Sequence, residues 1–117
     1  MKNFVKNGLG ASVVSATLLL VGCGDNMSDT SVKTGNYYEA HQEEAIAKAK
    51  WCFDEADISN EEIESTKQEV KSGGIDILLM RTENMKLRFK DMKFSSVDTE
   101  NCYQAIKVFI KIENSKN

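Results

Sequence analysis

Asn101-Cys102-Tyr103-Gln104-Ala105-Ile106-Lys107-Val108-Phe109-Ile110 sets Cys102, Ala105, Ile106, Phe109 and Ile110 at the spacing i, i+3, i+4, i+7, i+8. On a helix that series makes one apolar stripe. The preceding Ser95 to Thr99 is a polar turn rich in capping residues, and the tail after Glu113 is polar and is expected to fray. The 117 residues include no proline, so nothing forces a break in long helices.

The same reading extends toward the N-terminus. In Ile75 to Phe94, the residues Ile75, Leu78, Leu79, Thr82, Met85, Phe89 and Met92 fit a helix. Met85, Leu87 and Phe89 also alternate as in a strand; the length of the segment favours helix. Ser59-Asn60-Glu61-Glu62 is a capping box, with Ile58 and Ile63 placed as a hydrophobic staple. The stripe behind it (Ile63, Thr66, Val70) is narrow, which predicts a surface helix, and Ser72-Gly73-Gly74 stops it. An earlier helix is predicted to start after Asn36 as N-cap, with Glu39 at its third position. Tyr38, Ala45, Ala49, Cys52, Phe53 and Ala56 mark its inner face, and Glu44 and Lys48 form an i,i+4 pair. These segments predict an all-α domain of three to four helices over residues 36–117, with no second domain and no internal repeat.

Residues 1–22 follow an export plan. Lys2 and Lys6 precede an apolar run that includes Leu9, Val13, Val14, Leu18, Leu19 and Leu20. The run is short for a bilayer span and fits the core of a signal peptide; an uncleaved helical anchor is the alternative. Leu20-Val21-Gly22-Cys23 resembles the bacterial lipobox, which implies cleavage before Cys23 and acylation of its thiol and amino group. Several acyl chains hold a protein on a membrane essentially permanently, since each buried methylene contributes about 0.8 kcal/mol. Gly24 in the second position resembles the pattern that permits outer-membrane delivery, and Asp25 in the third leaves the inner membrane open. The expected location is the bacterial envelope, lipid-anchored and periplasm-facing. Residues 23–35, dominated by Gly, Asp, Asn, Ser and Thr, read as the lipidated terminus and a flexible tether.

Without its leader the chain has about 95 residues, enough for one small domain that gains from a staple. With Cys23 assigned to lipid, Cys52 and Cys102 remain for each other. A bond between them would close a loop of about 50 residues and contribute roughly 4 kcal/mol on the chain-entropy estimate. Two separately buried thiols are the other reading. A crossed or antiparallel pairing of the first and last helices would bring the sulfurs together. The formal net charge of −3 argues against a nucleic-acid partner, which needs a basic face.

The inventory for catalysis is thin. His41 is the single histidine, and there is no zinc signature, nucleophile elbow or phosphate-binding loop. No catalytic residue, metal, cofactor or small-molecule substrate is expected. His41 with Glu43 or Glu44 could act as an acid/base pair only in a pocket; on an open helix face it is a surface residue. The adjacent Tyr37 and Tyr38 can send one ring inward and one outward, or both into the core, and tyrosine suits interfaces. Trp51, beside Cys52, either packs over the staple or is an exposed anchor.

Tyr37-Tyr38-Glu39-Ala40-His41-Gln42-Glu43-Glu44-Ala45, followed by Lys48 and Cys52, resembles the signature of the EexN-like entry-exclusion lipoproteins of conjugative plasmids. Asn101-Cys102-Tyr103-Gln104-Ala105 is similar to the surroundings of that family's second cysteine. The chain departs from the family at Gln42, where proline is common, and in the longer, largely unmatched stretch from Asp54 to Thr99. The resemblance implies binding rather than catalysis: blocking redundant plasmid transfer by contact with a type IV secretion apparatus, with Tyr37, Tyr38 and His41 as partner-binding residues. The competing expectation is a generic periplasm-facing lipoprotein, an enzyme inhibitor or an assembly factor.

Overall fold

The computed structural model describes residues 26–116, so the leader and Cys23 lie outside the described residues. Five helices follow in order: α1 (Gly35–Ala40), α2 (Gln42–Glu55), α3 (Asn60–Gly73), α4 (Ile75–Asp91) and α5 (Ser96–Ser115). Among the described residues there is no strand. The segment that could alternate as a strand, Ile75 to Phe94, is helical to Asp91.

α5 is the central element and packs against each of the other four helices. Its stripe of Cys102, Ala105, Ile106, Phe109 and Ile110 is buried as the spacing predicts. Burial spreads further round the helix, to Asp98, Thr99, Asn101 and Val108, because neighbours cover it on several sides. The helix also runs on to Ser115, past the point where the polar tail is expected to fray.

The predicted first helix is two. Thr34, not Asn36, is the N-cap of α1, and its Oγ1 accepts from the Tyr37 amide at 3.0 Å. Glu39 does not close a capping box; it pairs with Lys111 on α5 at 2.7 Å. The chain then leaves helical geometry at His41 (φ −129°, ψ 65°), and the His41 amide donates back to the Tyr38 carbonyl at 3.1 Å. That kink is why the described residues form five helices.

The capping box at Ser59 forms, with Oγ accepting from the Glu62 amide at 3.2 Å. Ile58 is buried, and Ile63 packs on the same core. Gly74 separates α3 from α4 at φ 80°, ψ −156°, a conformation open essentially to glycine alone. α4 is tied to α3 by the fork of Arg88, whose two terminal nitrogens donate to the Glu62 carboxylate at 2.9 and 3.0 Å.

Two helix ends use the same device. After α2, Asp57 takes φ 55° and the Ile58 amide donates to the Phe53 carbonyl at 2.9 Å. After α4, Lys93 takes φ 69° and the Phe94 amide donates to the Phe89 carbonyl at 3.1 Å. Both are Schellman ends with the accompanying apolar contact, Phe89 stacking on Phe94 at 5.1 Å in the second.

Cys52 and Cys102 form a disulfide with Cα atoms 5.9 Å apart, and both residues are fully buried. It joins α2 to α5 within a cluster that includes Phe53, Phe89, Ile106 and Phe109. Lys48 meets Asp98 and Cys52 meets Cys102, each pair four residues on from the other in both helices, so at the staple α2 and α5 run in the same direction rather than antiparallel.

Candidate functional site

The segment read from sequence as a flexible tether is largely fixed. Residues 26–34 form neither helix nor strand, so their backbone groups need partners elsewhere. Side chains of α2 and α5 supply them. The Lys48 ammonium, 1 % exposed, donates to the Met27 carbonyl at 2.6 Å and to Asp98 Oδ1 at 2.9 Å. It also stands 3.1 Å from Asp29 Oδ2. Asp98 accepts from Ser28 Oγ at 2.5 Å and from the Asp29 amide at 2.9 Å. Asn101 accepts from the Lys33 amide at 2.7 Å and donates to Asp29 Oδ2 and the Ser31 carbonyl at 2.9 and 3.0 Å.

Burial alone would raise the Asp29 carboxyl, but hydrogen bonds from Asn101 and Lys48 and the charges of Lys48 and Lys33 outweigh it and hold it below 3.8. Asp98 is lowered in the same way: burial pushes it up, and Ser28, Lys48 and the Asp29 amide more than reverse that. Both carboxylates therefore stay ionised around Lys48, which a buried cation requires.

The expected Glu44–Lys48 pair is not made. Glu44 instead accepts from Lys33 Nζ at 2.6 Å and from the Tyr37 hydroxyl at 2.7 Å. The hydrogen bond to Glu44 raises the Tyr37 phenol above its ordinary value.

Tyr37 and His41 come together. Their rings stack at 4.1 Å with 21° between planes, and His41 Nδ1 lies 2.8 Å from the Tyr37 carbonyl. That carbonyl is available because the kink at His41 interrupts the helix ladder. His41 is exposed on an open surface, the arrangement that counts against its use as an acid/base residue. Tyr38 goes the other way. It is fully buried against Ala45, Ala105 and Val108, so it offers no surface to a partner and leaves the contact set. Burial, and next the charge of Asp29, push its phenol far above the usual tyrosine range. Trp51 is half-buried, packs on the core and on Phe94 at 5.9 Å, and carries the Lys48 ammonium 4.4 Å from its ring centroid.

The Lys48, Asp98, Asn101 cluster was the part that sequence reasoning passed over. Its signal was present: Lys48 interrupts the inner face Ala45, Ala49, Cys52, and Asp98 and Asn101 continue the face of Cys102 and Ala105. Charged and amide residues on an inward face require buried partners.

Among the described residues no cluster of His, Cys, Asp and Glu could hold a metal ion, and no helix is long and apolar enough to cross a membrane. No protein-family model, no curated protein and no solved structure matches the chain.

Proposed function

We propose that this chain is an envelope lipoprotein of the entry-exclusion type, anchored through Cys23 and facing the periplasm. It blocks redundant conjugative transfer by protein contact with the incoming transfer apparatus. The observation that carries the reading is the stacked Tyr37–His41 pair on the surface of the kinked α1–α2 segment. These are two residues of the stretch that resembles the entry-exclusion signature. Aromatic groups held rigid at low entropic cost are what a contact surface uses. The Cys52–Cys102 bond, near the far end of α2, ties that helix to α5 and keeps the scaffold of the segment in one conformation. A lipid anchor adds high local concentration at the envelope.

Transfer frequency into recipients expressing this protein alone tests the proposal. Recipients with the unaltered chain are expected to receive a related plasmid less often than recipients without it. Cys23→Ser is expected to restore transfer by abolishing the anchor, and Tyr37→Ala or His41→Ala by removing the contact surface while the protein remains at the envelope. Unchanged transfer into recipients making the unaltered, anchored protein removes the exclusion reading.

A further inference from the structure

The bonds at residues 27–33 have a geometric consequence for an anchored protein. If the chain were free from Cys23 to Gly35, twelve peptide units could extend to about 43 Å. Fixation begins at Met27, whose carbonyl is held by the buried Lys48. Only four peptide units then separate the anchor from the fixed domain, and whatever path they take they span at most about 14 Å. That reach is about half the domain's shortest dimension, 26 Å of 41 × 34 × 26 Å. The domain cannot stand off and tumble; one edge must stay beside the anchor.

Which edge is set by Lys48. The ammonium that holds Met27 also lies over the Trp51 ring, and Trp51 packs on Phe94. Phe94 belongs to the turn between α4 and α5, where Met92 is 43 % exposed and Lys90 and Lys93 are exposed on either side of it. An indole and a phenyl ring, an exposed thioether and two lysines make the composition found at membrane–water interfaces. There aromatic rings sit at headgroup level and lysine stems lie along apolar surface with the ammonium in the polar layer.

We infer that the edge formed by Met27, Trp51, Met92 and Phe94, with Lys90 and Lys93, is a membrane-apposed surface, pressed onto the lipid layer that holds Cys23. This rests on the reading of Cys23 as the acylated residue. The fixed segment and α1 then climb along α5 away from the lipid: Asp29 is held at Asp98, Lys33 at Asn101 and Glu39 at Lys111. Lys111 is about 20 Å along α5 from Asp98. The Tyr37–His41 pair therefore stands on the outward side, presented at a set height rather than on a loose leash.

Trp51 is the single tryptophan, so its fluorescence reports this edge alone. The mature protein would be purified from membranes and reconstituted in phosphatidylethanolamine–phosphatidylglycerol vesicles containing lipids brominated near the headgroup. Intact mass on the same sample gives the state of Cys23. Quenching of Trp51 is expected, and it is expected to be lost when a long glycine–serine stretch is inserted between Asp25 and Asn26, which lengthens the leash and leaves every bond of the fixed segment in place. An acylated protein whose Trp51 is not quenched overturns the inference and leaves the lipoprotein reading standing. Quenching that survives the insertion also overturns it, because the short leash would then not set the orientation. An unacylated Cys23 removes the lipoprotein reading and this inference together.

Discussion

Three oxygens converge on the Lys48 ammonium in the interior, from Met27, Asp98 and Asp29. Removing the cation would leave the Asp98 carboxylate without a charged partner and Asp29 with Lys33 alone, which costs more than the pair contributes. Lys48→Met is expected to destabilise the domain by about 3–5 kcal/mol in urea unfolding. Adding Asp98→Asn is expected to recover part of that loss. The acid response follows from the same residues. The folded pKa values of Asp29 and Asp98 lie below their ordinary 3.8, so the folded state binds fewer protons than the unfolded state. Their contribution is fully present above pH 3.8 and is lost as pH falls through the depressed folded values. A urea-midpoint series from neutral to acid pH is expected to fall less steeply below about pH 4 for Asp98→Asn than for the unaltered protein. Tyr38 presents the opposite case: its buried hydroxyl has no hydrogen-bond partner among the described residues. Tyr38→Phe deletes an unsatisfied group and is expected to be neutral or to stabilise by about 1 kcal/mol. A clear loss of stability would show that the hydroxyl is satisfied in solution.

At the level of the elements, helix ends decide where the chain turns. Asp57 and Lys93 occupy left-handed positions that glycine adopts without strain, at φ 55° and 69°. Asp57→Gly is therefore expected to raise stability by up to about 1 kcal/mol in thermal unfolding, with no change in helix content. The helices themselves were legible because their periodicity is strong and their starts carry Ser59 and Ser95, both of which accept cap hydrogen bonds. The kink at His41 was not legible. It comes with the Glu39–Lys111 pair across to α5 and with His41 Nδ1 against the Tyr37 carbonyl, contacts that helical spacing does not encode. Residues 26–34 were misread for a related reason. Their composition is that of a flexible linker, and what fixes them is a set of side chains about seventy positions away on α5.

As a whole molecule the domain joins its first and last long helices twice, by the Cys52–Cys102 bond and by the ion cluster around Lys48, one turn of α2 earlier. A domain of this size has a modest core, and a covalent cross-link is the usual supplement. The proposed function asks the same of it: a rigid surface, a fixed orientation and a permanent attachment. Everything in that account depends on the chemical state of three sulfurs, which intact mass under non-reducing conditions reads in one measurement on protein extracted from membranes. A chain starting at Cys23, carrying acyl groups there, with Cys52 and Cys102 joined, is the expected species. A chain that retains residues 1–22, with Cys23 unmodified and the other two thiols free, would contradict it.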